Sequence, residues 1–156
     1  MLLILGITMK ASEYSKQVKY NKITALLVAV QTYRIVGVVF LWGLTQGYFV
    51  PAFAIPAGVG DVLVGWAAIP IAVYLWRGYS WSKSAVVIWS VLGITDLVYA
   101  VTLGSIIYPD FTNGPFGTFP WILVPTVAVP LSIALHGIVL YRVRKSKPMI
   151  EPTRYV

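Results

Sequence analysis

Arg34, Asp61, Asp96 and His136 are ionisable side chains standing inside long apolar runs. At about 1.5 Å of helix rise per residue, Arg34 lies roughly 15 Å, Asp61 roughly 14 Å and Asp96 roughly 16 Å from the nearer end of its run. In a hydrocarbon layer ~30 Å thick these depths converge on the midplane. A charge there costs at least ~2.5 to 3.5 kcal/mol, so three at one level are expected to meet, with Arg34 between two carboxylates. One arginine and two aspartates leave a net charge of −1. A proton on one carboxylate or a bound cation balances it, and an exchangeable proton at mid-membrane is what a proton-coupled carrier needs. Gln31 lies one turn from Arg34 on the same face, and Gly37 leaves space on the other side. His136 has Ser132 one turn away on its own face. The candidate substrate or ion site is therefore Arg34, Asp61, Asp96, Gln31 and His136. The same charges also suit a purely structural role, in which Arg34 ties the helices together and its partners neutralise it.

Other chemistries fit the residues less well. A zinc site lacks cysteines and further histidines, and no metal is expected. A b-type haem needs two axial ligands, and His136 supplies one, so the second would have to come from a symmetric partner chain. A retinal Schiff base needs a lysine within a span, and there is none. No cofactor is predicted. Gly58-Val59-Gly60-Asp61 is similar to the G-x-G-D segment of presenilin-like and prepilin-peptidase-like intramembrane aspartyl proteases, with Asp96 as a possible second aspartate. Three departures weigh against that reading. The other aspartate precedes the motif in those families and follows it here, those proteases have more spans, and a neighbouring Arg34 favours ionisation of both carboxylates.

The elements that position these residues follow from composition. Of 156 residues, 58 % are hydrophobic and 11 % charged, with a mean hydropathy of +0.80. Soluble domains carry roughly 25 % charged residues, so the chain reads as an integral membrane protein. That excludes a cytosolic enzyme, a disordered tail and, with no cysteine, a secreted disulfide scaffold. Runs of about 20 apolar residues place four transmembrane helices near 24–46, 52–76, 85–108 and 120–141. A basic segment, 1–23, precedes this domain of 24–141 and a basic tail, 142–156, follows it.

The net charge of +7 is explained by position. Eleven of the twelve basic residues flank the spans on one side: Lys10, Lys16, Lys19, Lys22, Arg77, Lys83, Arg142, Arg144, Lys145, Lys147 and Arg154. This is the positive-inside pattern of a cytoplasmic-membrane protein with both termini in the cytoplasm. Anionic lipid headgroups are the expected partners of these flanks, and nucleic acid is not. The stretch Met1 to Met9 lacks the basic start and small-residue cleavage site of a signal peptide, and is expected to be peripheral. Trp42, Tyr48, Trp76, Tyr79, Trp81, Tyr108, Trp121 and Tyr141 fall near the predicted interfaces, where rings with one wet edge are stable.

The second span carries Pro51, Pro56 and Pro70, and the fourth Pro120, Pro125 and Pro130. Each internal proline removes a donor and crowds the carbonyl one turn back, which predicts kinked second and fourth helices. The segments from Gly58 to Gly65 and from Gly93 to Ala100 share a Gly, an Asp three residues on and a small residue four further. Running in opposite directions, they form a short inverted repeat of the kind transporters bring together at the midplane.

Gln31, Arg34, Gly37, Phe40, Gly47, the run from Phe53 to Asp61, Gly65, Gly93, Asp96, Leu97, Pro125, Val129, Pro130 and His136 together resemble a group of small prokaryotic membrane proteins with no assigned activity. The Phe-Ala-x-Pro-Ala-Gly-x-Gly-Asp stretch is the most specific part. The resemblance, over residues 31–140, implies four spans and brings no activity with it. The leading expectation is proton- or cation-linked transport of a small solute, by an oligomer or a subunit of a membrane complex. The alternative is a non-catalytic accessory or scaffold subunit.

Overall fold

A computed structural model describes the backbone of residues 2–110 and 114–146 and, within these stretches, the side chains from Tyr14 onward. Lys147, Arg154 and the side chains of Met1 to Met9 and Lys10 lie outside the described residues. Helix α1 (Leu2–Val30) passes into a 3-10 helix (Gln31–Gly37) and then α2 (Val38–Thr45) without a break in the chain's course. Helices α3 (Pro51–Arg77) and α4 (Ser82–Ile107) follow, then a 3-10 turn (Pro115–Gly117), a π-helical turn (Val124–Ala128) and α5 (Val129–Lys145). Four stretches are long and apolar enough to cross a membrane: Tyr14–Thr45, Pro51–Arg77, Ser82–Ile107 and Val124–Lys145. The protein is an all-α, multi-pass membrane protein, and the described residues contain no strand.

The ends of the helices have local causes. Gly47 takes a φ of +76°, a conformation that turns the chain at the end of α2. Pro51 opens α3, where its missing N–H costs nothing and its fixed φ suits a first turn. Gly78, at φ +81°, closes α3 with its N–H on the carbonyls of Tyr74 and Leu75. The stretch from Thr118 to Leu123 is wound in turns, with Ile122 N–H on Thr118 O at 2.9 Å and Leu123 N–H on Pro120 O at 3.1 Å. Regular helix in the fourth span therefore begins after Pro120.

Each span packs on its neighbour in chain order, and α5 closes back on α1. Small residues set how closely they approach. A Cβ on Gly65 would lie 2.7 Å from the backbone nitrogen of Ile35, and one on Gly58 would lie 3.2 Å from the carbonyl oxygen of Gly37. The first two spans thus meet backbone to backbone on either side of Asp61. Two apolar clusters fill the bundle. One gathers Ala25, Val28, Ala68, Leu75, Val86, Trp89 and Val139 toward the chain termini. The other is aromatic, gathering Phe40, Phe49, Phe53, Phe116 and Trp121 toward the opposite end. There the ring of Phe49 stands edge-on to Trp121 at 4.8 Å, and the Tyr108 hydroxyl accepts the Val50 N–H at 2.8 Å.

Between these clusters the first span changes its winding. Gln31, Arg34 and Gly37 are all buried, and they are three residues apart. With about three residues per turn, a 3-10 helix keeps such positions on one line, whereas an α-helix would rotate each about 60° from the last. The tighter winding therefore holds all three against the bundle, and the polar site is built on this segment.

Candidate functional site

Arg34 comes from the 3-10 segment, Asp61 from α3, Asp96 from α4 and His136 from α5, so every span contributes one ionisable group. Arg34 Nε donates to Asp61 Oδ1 at 2.7 Å, and Nη2 lies 2.7 Å from the same oxygen. Nη2 also donates to Asp96 Oδ2 at 2.5 Å. Nη1 donates to the carbonyl of Gly93 at 3.3 Å and faces His136 Nε2 at 3.5 Å. A guanidinium has no acceptor to offer, so a hydrogen bond here requires His136 Nε2 to be the bare ring nitrogen; Nδ1 has no hydrogen-bond partner among the described residues. The Arg34 side chain is 2 % exposed, against 20 % for Asp61 and 17 % for Asp96. The cation is sealed in while both carboxylates keep an open edge.

Glycines make the approach possible. A Cβ on Gly37 would collide with Asp61, and one on Gly60 with the Asp96 carboxylate. On Gly93 it would come within 2.5 Å of His136 Nε2 and 3.1 Å of Arg34 Nη1. The two copies of the short Gly-Asp repeat thus sit face to face around one guanidinium.

Gln31 continues the polar line from Arg34. Its amide donates to the Ser132 carbonyl at 3.0 Å and accepts from the Ser132 hydroxyl at 3.1 Å. The Tyr33 hydroxyl meets Ser132 Oγ and donates to the Ala128 carbonyl at 3.0 Å. All five residues singled out from the sequence therefore gather in one polar region at the level where the four spans meet. Sequence reasoning passed over Tyr33 and Trp89. Trp89 packs against His136 with ring centroids 4.6 Å apart and planes tilted by 54°, and donates its indole N–H to the Val64 carbonyl at 2.9 Å. In the sequence Trp89 lies no deeper in its predicted span, 85–108, than Trp42 does in 24–46, so nothing there sets it apart from the interfacial rings; the buried acceptor for its indole N–H is visible only in the folded bundle.

Two cavities adjoin the site. One, of about 180 Å³, lies between the first and fourth spans against Tyr33, Arg34, Asp61, Ala128 and Ser132. A smaller one, of about 40 Å³, lies beyond Val124 and Val129 against Phe53, Asp61 and Gly104. Asp61 borders both. The place between the two carboxylates is taken by the guanidinium. Among the described residues no three histidine or acidic side chains group together to hold a metal ion.

No curated protein and no solved structure matches the chain. Residues 1–144 match the family model of a domain of unknown function, DUF8737, and the chain belongs to that family.

Proposed function

We propose that the protein carries a small solute across the cytoplasmic membrane in exchange for, or together with, a proton or another cation, and that Arg34, Asp61 and Asp96 form its binding site. The observation that carries this reading is the −1 charge of a mid-span network whose two carboxylates stay partly open while their arginine is sealed. A network built only for cohesion is better served by charges that cancel, because each unbalanced buried charge raises the desolvation cost. Gln31 and His136 complete the polar lining, Gln31 by bonding Ser132 of the fourth span and His136 by facing the guanidinium from that span. The proline-bearing second and fourth spans are the moving parts. The π-helical turn Val124–Ala128 supports this, since an irregular turn in a span weakens the ladder that would resist bending. Both termini face the cytoplasm, and the protein works as an oligomer or within a larger membrane complex.

A specific observation favours the scaffold reading as the second possibility. Arg34 directs Nε, Nη1 and Nη2 to groups on all three other spans, as a residue that locks a bundle would. Purified protein in proteoliposomes separates the two. If the site carries protons, Asp96→Asn and Asp61→Asn abolish proton-coupled flux while the protein remains folded and assembled. Variants that assemble and leave every flux unchanged would establish the scaffold.

A further inference from the structure

We propose that the cavity between the first and fourth spans receives a lipophilic monocation from the bilayer: a protonated amine whose ammonium meets Asp61 and whose body is about the size of one aromatic ring. This names the substrate class for the transport reading above and rests on it.

Shape comes first. The cavity lies at the level of the ion network, with Val36, Val39, Val124 and Val129 among its apolar walls. Phe40, a member of the aromatic cluster, is on its wall, as is Ser132, where the Gln31–Ser132 hydrogen bonds join the two spans. The remaining side is the outer face of the bundle, where Val36 is 61 % exposed. At mid-span that face meets hydrocarbon, so a ligand reaching the site by this route must first dissolve in the membrane. The volume of about 180 Å³ compares with the roughly 150 Å³ that accommodates benzene in an apolar protein cavity.

Charge comes second. Arg34 bonds Oδ1 of Asp61, which leaves Oδ2 without a donor among the described residues; Oδ2 is the carboxylate oxygen nearer to Gly37, and Gly37 and Asp61 both line this cavity. The Tyr33 hydroxyl lies on the same wall. A monocation brings the network from −1 to neutral. An anion would deepen the imbalance, and a neutral alcohol would leave it. The Phe40 ring, also on the wall, offers a face toward which a cation is drawn.

The test uses the full chain in lipid nanodiscs and calorimetric titration with four probes: phenethylamine, 2-phenylethanol, 3-phenylpropanoate and ethylamine. Phenethylamine should bind at least about ten-fold more tightly than the alcohol, and the anion and the ringless ethylamine should not bind detectably. Asp61→Asn should weaken phenethylamine binding by at least about thirty-fold, the scale of losing a desolvated charge partner, and erase the preference over the alcohol. Should that variant fail to fold, Ala128→Phe, which narrows the cavity from the fourth span while leaving every residue of the ion network in place, carries the test and should abolish binding. Equal binding of amine and alcohol, or amine binding indifferent to both variants, overturns the proposal. If phenethylamine does not bind while Asp61-dependent proton flux persists, the ligand class falls and the transport reading stands. If it binds as described and no Asp61-dependent flux exists, the site is upheld and the transport reading falls.

Discussion

Arg34 is the residue on which both functional readings depend, and its removal has an effect that can be predicted with a sign. Arg34→Leu strands Asp61 and Asp96 at mid-span, and breaking a buried pair commonly costs about 3 to 5 kcal/mol. Protonation relieves stranded carboxylates, so the folded variant takes up protons more readily than its unfolded chain, and its stability rises as pH falls. The triple variant Arg34→Leu, Asp61→Asn, Asp96→Asn removes the stranded charges as well. It should be more stable than the single variant at neutral pH, a non-additivity expected of residues in contact. Thermal unfolding of both variants in detergent across pH is the measurement, and additive losses with no pH dependence would refute the coupling. A second residue-scale contrast concerns two glycines of adjacent helices. Gly93→Ala drives a methyl into His136 and Arg34 and should destabilise by about 1 to 3 kcal/mol, the usual cost of overpacking. At Gly137 nothing lies within 4 Å of a Cβ, and Gly137→Ala should stay within about 1 kcal/mol of the parent.

At the scale of elements, the contact between the first two spans is made by backbone and cannot be eased by rotamer changes. Gly65 faces the backbone of Arg34 and Ile35, whereas the nearest atom to a Cβ on Gly58 belongs to the Leu41 side chain, which can move. Gly65→Ala is therefore expected to lower the unfolding temperature more than Gly58→Ala. It should also loosen the ion network, because separating these spans withdraws Arg34 from Asp61. Accelerated hydrogen exchange in the 3-10 segment of Gly65→Ala, compared with Gly58→Ala, would register that loosening. Equal effects of the two substitutions would mean that the backbone approach does not position the site.

For the whole molecule, orientation follows from the basic flanks. Single cysteines can be introduced into a chain that has none. A cysteine at exposed Gln46 should react with an impermeant thiol reagent applied to intact cells, and one at exposed Ser80 should react only after the membrane is opened. The reverse labelling would invert the topology. The basic flanks have structural partners of their own. Arg142 donates to Thr24 Oγ1 at 2.9 Å and lies over the Tyr20 ring at 4.0 Å, and Lys22 lies over Trp76 at 5.1 Å. The end of the bundle that carries the basic flanks is thus tied across spans by those residues.

The sequence by itself determined the number of spans and the company that Arg34, Asp61 and Asp96 must keep. Both follow from local sums: apolar length decides what crosses a bilayer, and the cost of an unpaired charge in hydrocarbon allows few arrangements of three charges at one depth. Family membership is equally a property of the linear chain, and the resemblance carried by Arg34, the Phe53 to Asp61 run and His136 agrees with it at the level of an uncharacterised family. Tertiary structure alone decided the rest. Whether residues 31 to 37 wind with three or 3.6 residues per turn depends on which neighbour they must face, because local geometry by itself favours the α-helix over a run of this length and only contacts with other spans can offset that. Contacts between spans likewise chose Oδ1 of Asp61 over Oδ2, brought Trp89 to His136, and left the gap beside Tyr33 and Ala128 unfilled. Such choices rest on atoms separated by 27 to 95 positions in the chain, where periodicity and composition carry no information.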